Sequence, residues 1–241
     1  KTDKNIEEEL NPYFEPQVLL VGIKNKGLDN LNYKMTVFDE KFNSFVSENF
    51  NWLYLTGNMK PVDSLLKSFD KEFADFNDTY FKSYKDYRFA MLRHFTFERD
   101  RNFVVRKYLL NKPILYQNEA YMHFFNETFN EYFSSPKVEK TSELINEAIV
   151  YYKSPNQLKN ILEYNIAFRN DTLKEMIILK GLRDCYKHPD IFPYSVLDQT
   201  VDSLSIISKI PVHREIARNI KLRALKLKPG DNAPSFELKN I

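Results

Sequence analysis

Glycine is scarce in this chain, with 5 in 241 residues. Sheet-built domains need many tight turns at positive φ, which glycine and asparagine supply, so the shortage argues against an all-β fold. Cysteine is scarcer still. Cys185 alone excludes an internal disulfide framework, a Cys-x-x-Cys redox pair and a multi-thiolate zinc site within these residues. No stretch approaches the roughly 20 consecutive apolar residues that a membrane-spanning helix requires. The acidic opening from Lys1 to Leu10 lacks the make-up of a signal peptide. An excess of one charge is lacking too: 35 Lys plus Arg stand against 33 Asp plus Glu. The net +2 leaves no electrostatic footprint for nucleic acid. A Gly-rich phosphate loop, a Gly-x-Ser-x-Gly elbow and a His-Glu-x-x-His motif are all missing, which argues against an independent hydrolase or nucleotide enzyme. Lys1 in place of an initiator methionine is read as the mark of a processed or excised piece, so the missing leader indicates no compartment.

What is present is an ordinary globular composition, 43% hydrophobic and 28% charged, in a chain long enough to bury a substantial core. The 20 Phe and 15 Tyr are expected to fill the spaces between helices. Apolar residues recur at helical spacing from Leu31, with Val37, Phe38, Phe42, Phe45, Val46 and Phe50 on one stripe, and predict one long helix reaching Thr56. Pro61 opens a second, striped by Val62, Leu65, Leu66, Phe69 and Phe73, and Asn77 and Asp78 cap a third. Further helices are predicted at Thr79 to Phe97, Asp100 to Leu110, Asn118 to Phe133 and Ser142 to Lys153. Ser154, Pro155 and Gln157 form a start signal, and Thr172 with Glu175 reads as a second capping box. Two last helices are expected near Tyr194 to Ser208 and Val212 to Lys226. The fold class is therefore mainly α, an irregular array of about nine to ten helices with a short extended C-terminal tail. Residues 1–30, with the apolar run Val18 to Ile23, do not distinguish strand from helix; residues 31–228 form the helical domain; residues 229–241 follow it.

Few side chains suggest chemistry. Cys185 lies near Arg183 and Lys187, which would stabilise a thiolate, but it also falls in register with Ile178 and Leu182, and a buried small hydrophobe is expected. Glu119, His123 and Glu127 follow at i, i+4 and i+8. Ligands at i and i+8 are separated by about 12 Å of helix rise and converge poorly on a metal, so a surface charge stripe is expected. His94, His188 and His213 have no ligand pattern around them and are read the same way. Tyr80, Tyr84 and Tyr87 predict a half-buried stripe with wet hydroxyls rather than a stacking platform. Arg214, Arg218, Lys221, Arg223, Lys226 and Lys228 face only Glu215. They form either a solvated face that complements the helix dipole or a docking surface, with Arg214, Arg218 and Lys221 as its core. No cofactor and no metal is implied by these residues.

The tail alternates Phe236 and Leu238 with Glu237 and Lys239, as in a half-buried strand, after a turn at Pro229, Gly230 and Asp231. Gly230, Asp231, Ala233, Pro234, Phe236 and Leu238 together resemble the lead-in to thioredoxin-fold domains of the TlpA-like and peroxiredoxin-like families, where a Gly-Asp-x-Ala-Pro-x-Phe-x-Leu stretch precedes the first strands. Leu173 to Asp184, with its Leu-Lys-Gly-Leu core at Leu179, Lys180, Gly181 and Leu182, is similar to a segment of exported TlpA-like proteins of Bacteroidetes, as are Ile216 to Ile220 and the run from Asn118 to Phe133. In that family a helical region precedes the redox domain, whose Trp-Cys-x-x-Cys site lies beyond the lead-in motif, so no catalytic residue carries over onto these positions. The resemblance implies a non-catalytic helical accessory region of a periplasmic or envelope thiol-disulfide oxidoreductase. Its implied partners are the downstream thioredoxin-like domain and a protein substrate or envelope component. Two alternatives stay open: an interaction or ligand-binding module on a redox-inactive thioredoxin-like scaffold, and a peroxiredoxin-like peroxidase.

Overall fold

The computed structural model describes residues 30–56, 60–134 and 139–225. Among them are eleven α-helices, one short 3-10 turn and no strand. The helices are α1 (Leu31–Glu48), α2 (Phe50–Thr56), α3 (Lys60–Glu72), α4 (Thr79–Thr96), α5 (Arg101–Tyr108), α6 (Glu119–Thr128), α7 (Glu139–Val150), α8 (Pro155–Glu163), α9 (Asp171–Cys185), α10 (Tyr194–Ile207) and α11 (Pro211–Leu225), with the 3-10 turn Ile166–Phe168 ahead of α9. The mainly α class read from the periodicity is the observed one. The predicted strand at Phe236 and Leu238, the lead-in motif and residues 1–29 lie outside the described residues.

Short polar side chains start most of these helices, by accepting an otherwise orphaned backbone N–H. Asn30, Asp78, Asp100, Asn118, Ser154 and Asn170 each bond the N–H three residues on. Three predicted boundaries are corrected. The single helix expected from Leu31 to Thr56 is broken at Asn49, whose side-chain amide donates to the Phe45 carbonyl at 2.9 Å and closes α1. The helix expected to run from Asn118 to Phe133 stops at Thr128, because Glu131 turns to a φ of 48° and gives its N–H to the Asp184 carboxylate at 3.0 Å. The capping box at Thr172 and Glu175 does not form. Asn170 is the cap, Thr172 lies inside the first turn, and the Glu175 carboxylate points into the interior.

The N-terminal half packs around aromatic rings. Phe38 of α1 sits 4.9 Å from Phe69 of α3 and 5.9 Å from Phe81 of α4, and Phe42 meets Phe89 edge-on at 5.2 Å. Such pairs add about 0.5–1.5 kcal/mol each beyond the area they bury. α4 lies along α6, and the turn after α6 carries Phe129, Tyr132 and Phe133 toward Phe168 and α9. In the C-terminal half α9 is the central element, touching α8, α10 and α11. Between Leu173 and Cys185 it exposes only Arg183. Gly181 explains one close approach there, since a Cβ at that position would stand 2.5 Å from the buried Phe133 ring. The charges that α9 buries are paired: Lys180 with Asp184, and Lys174 with Glu163 and Asp171.

Candidate functional site

Among the described residues, the side chains singled out from the sequence as candidates for chemistry do not converge on one site. Cys185 is fully buried on α9, and burial, with Asp184 beside it, pushes its thiol pKa upward, which matches the small-hydrophobe expectation. His123 is exposed on α6, and no group of three metal-ligating side chains occurs among the described residues. His94 Nδ1 lies 2.9 Å from the Glu98 carbonyl, and His188 Nε2 lies 3.9 Å from Glu131. The tyrosine stripe is corrected: its hydroxyls are bonded within the protein. Tyr84 donates to Asp39 at 2.7 Å, Tyr87 donates to the Tyr108 carbonyl at 2.9 Å, and Tyr80 accepts the Glu119 N–H at 3.3 Å. Burial, with Asp86 nearby, holds the Tyr87 phenol up at about 12. Of the proposed docking residues, Arg214 donates to the Ser208 carbonyl at 2.9 Å and Lys221 pairs with Asp202 at 2.5 Å, leaving Arg218 turned to solvent.

His213 reverses its expected place. It is fully buried, because it shares the inward stripe of α11 with Ala217 and Ile220, at i, i+4 and i+7. Its Nδ1 lies 2.9 Å from Glu175 Oε1 on α9, and its Nε2 lies 2.7 Å from the Tyr116 hydroxyl, in the segment between α5 and α6. Glu175 also accepts from Ser208 Oγ and from Lys159 Nζ of α8, the latter at 2.6 Å. Burial alone would raise the pKa of this carboxyl; the bonds from His213, Lys159 and Ser208 outweigh it and hold the group down at about 2. The ionised carboxylate only accepts, so Nδ1 carries the proton of that bond, and Nε2 on the far side of the ring shares a hydrogen bond with the Tyr116 hydroxyl.

The row Lys159, Glu175, His213, Tyr116 runs from the surface through the interior to a cavity wall. The cavity, of about 460 Å³, is bounded by Tyr80, Ile114, Leu115, Tyr116 and Val212 among others. Burial and the Glu175 charge push the Tyr116 phenol up, so it stays protonated at neutral pH. The row can fix the orientation of α11 against α8 and α9 and can offer a cavity occupant one phenolic oxygen. Its members sit 38 and 97 residues apart, a separation that no local spacing reveals; the one local sign was a histidine on an otherwise apolar helix stripe.

Comparison with protein-family models, with curated proteins and with solved structures finds no match to this chain.

Proposed function

We propose that this chain is the non-catalytic helical accessory region of an exported thioredoxin-like thiol-disulfide oxidoreductase, and that its task is to hold the redox domain or its substrate in position. The observation that carries the reading is the anchoring of α11. This helix leads toward the lead-in motif at Gly230, Asp231, Ala233, Pro234, Phe236 and Leu238, and His213 in its first turn is bonded into the core through Glu175 and Tyr116. Lys221, two turns on, ties it to Asp202 of α10. A helix clamped along its length transmits orientation to whatever follows it. Cys185 takes no part in exchange, because disulfide chemistry needs an accessible thiolate and this thiol has neither access nor a lowered pKa.

The test is the protein encoded by the complete gene, assayed by insulin reduction. A Cys-x-x-Cys pair beyond Ile241 and a turnover that Cys185→Ala leaves unchanged are expected. Absence of any cysteine there would favour the redox-inactive scaffold, a lone peroxidatic cysteine would favour the peroxidase, and loss of turnover with Cys185→Ala would overturn the assignment of Cys185.

A further inference from the structure

A larger cavity, of about 700 Å³, opens where the start of α5 meets α8 and the 3-10 turn. Its wall carries three guanidinium groups, Arg99, Arg101 and Arg106, against the single carboxylate of Asp100. That carboxylate is engaged, since it accepts the Phe103 N–H at 2.6 Å as the cap of α5. The guanidinium groups of Arg99 and Arg106 make no hydrogen bond or ion pair with any described side chain or carbonyl. Their neighbours do: Lys107 pairs with Glu98 at 2.5 Å and Arg93 with Asp63 at 2.7 Å. Three guanidiniums gathered at one cavity concentrate a positive charge that the chain as a whole, at net +2, does not carry.

Arg101 is fixed in a way the other two are not. Its Nε donates to the Thr128 carbonyl at 2.9 Å, and its guanidinium lies 4.6 Å over the Tyr132 ring. Burial lowers its pKa, as expected of a cation drawn out of water. With Nε anchored and one face stacked, the two terminal nitrogens form a rigid fork without a partner among the described residues, the geometry that matches two oxygens of one anion. Beside these charges the cavity presents uncovered apolar surface, with Tyr164 89% exposed and Ile166 57% exposed.

We propose that this cavity binds a small organic oxyanion, a phosphate or carboxylate carried on an apolar body, with Arg101 as the fixed fork, Arg99 and Arg106 neutralising the charge, and Tyr164 and Ile166 covering the body. The volume lies in the range of small-molecule sites. The site is independent of the accessory-region reading and stands whether or not a redox domain follows.

Calorimetric titration at fixed ionic strength decides it, with phenyl phosphate, benzoate and inorganic phosphate as probes. Saturable binding of at least one of the two aryl anions is expected, at least about tenfold tighter than inorganic phosphate, since burying an apolar ring contributes roughly that factor or more. Preference for phenyl phosphate assigns the anion as a phosphate, and preference for benzoate assigns it as a carboxylate. The double variant Arg99→Ala/Arg106→Ala changes exposed side chains, so it should keep the native melting temperature and bind about tenfold or more weakly. Arg101→Lys should weaken binding further by removing the fork while keeping the charge. No saturable binding of either aryl anion, equal binding of inorganic phosphate, or affinity unchanged in the double variant would each overturn the proposal.

Discussion

A carboxylate buried among apolar side chains must lose its charge or find donors, and Glu175 finds three, on α8, on α11 and in the turn between α10 and α11. The sign of the consequence follows from its depressed pKa. In the unfolded chain the group titrates near its ordinary 4.5, and in the folded protein near 2. Its stabilising contribution is therefore complete above about pH 4.5 and is lost as the pH falls from there toward 2. Urea unfolding followed by circular dichroism at pH 5, 4, 3 and 2 should show the protein losing on the order of 2 kcal/mol through this group. Glu175→Gln, which cannot ionise, should start less stable at neutral pH, because it leaves the Lys159 ammonium without its anion and the His213 Nδ1–H with a weaker acceptor. It should also lose that part of the acid dependence. Parallel acid curves for the two proteins would show that the carboxylate is not the group that titrates.

At the scale of the element, α9 shows how a start signal is chosen. Two candidates stand within three residues, Asn170 and Thr172, and the one with its side chain on the Leu173 N–H is Asn170, at 2.9 Å. Asn170→Ala should cost about 1 kcal/mol of unfolding free energy in urea titration. Thr172→Ala should change stability by less than about 0.5 kcal/mol, and the opposite ranking would restore the box at Thr172 and Glu175. The same comparison shows what the sequence makes legible. Stripes such as Val62, Phe69 and Phe73 report a helix directly, because burial repeats every three or four residues whatever the helix packs against. Ends are different. The break at Asn49 depends on a side chain competing for one carbonyl, and the stop at Thr128 on a carboxylate 53 residues away claiming the Glu131 N–H. Neither interaction leaves a periodic trace. The row through Glu175, His213 and Tyr116 was illegible for a related reason: each residue is unremarkable in its own segment, and only the packing of α9 and α11 on the segment before α6 brings them together.

For the whole molecule the question is whether the aromatic-rich N-terminal half and the mostly aliphatic C-terminal half open separately or as one body. α9 is the place to ask, since it is buried on nearly every face and receives Phe133 from the turn after α6 at Gly181. Cys185 at its end is a built-in probe, fully enclosed and held protonated by burial, with Asp184 adding to the effect. Reaction with a disulfide reagent such as DTNB requires solvent access and a thiolate, and the folded state supplies neither. The native protein at neutral pH should therefore label far more slowly than the urea-unfolded chain. The free energy of opening obtained from labelling at increasing urea should equal that of global unfolding by circular dichroism. Matching values would mean that α9 is released only when both halves come apart, as a scaffold that orients a neighbouring domain requires. Labelling through an opening several kcal/mol below the global value would instead show α9 detaching by itself. The clamp on α11 through Glu175 would then hold it only intermittently, which would count against the positioning role we propose.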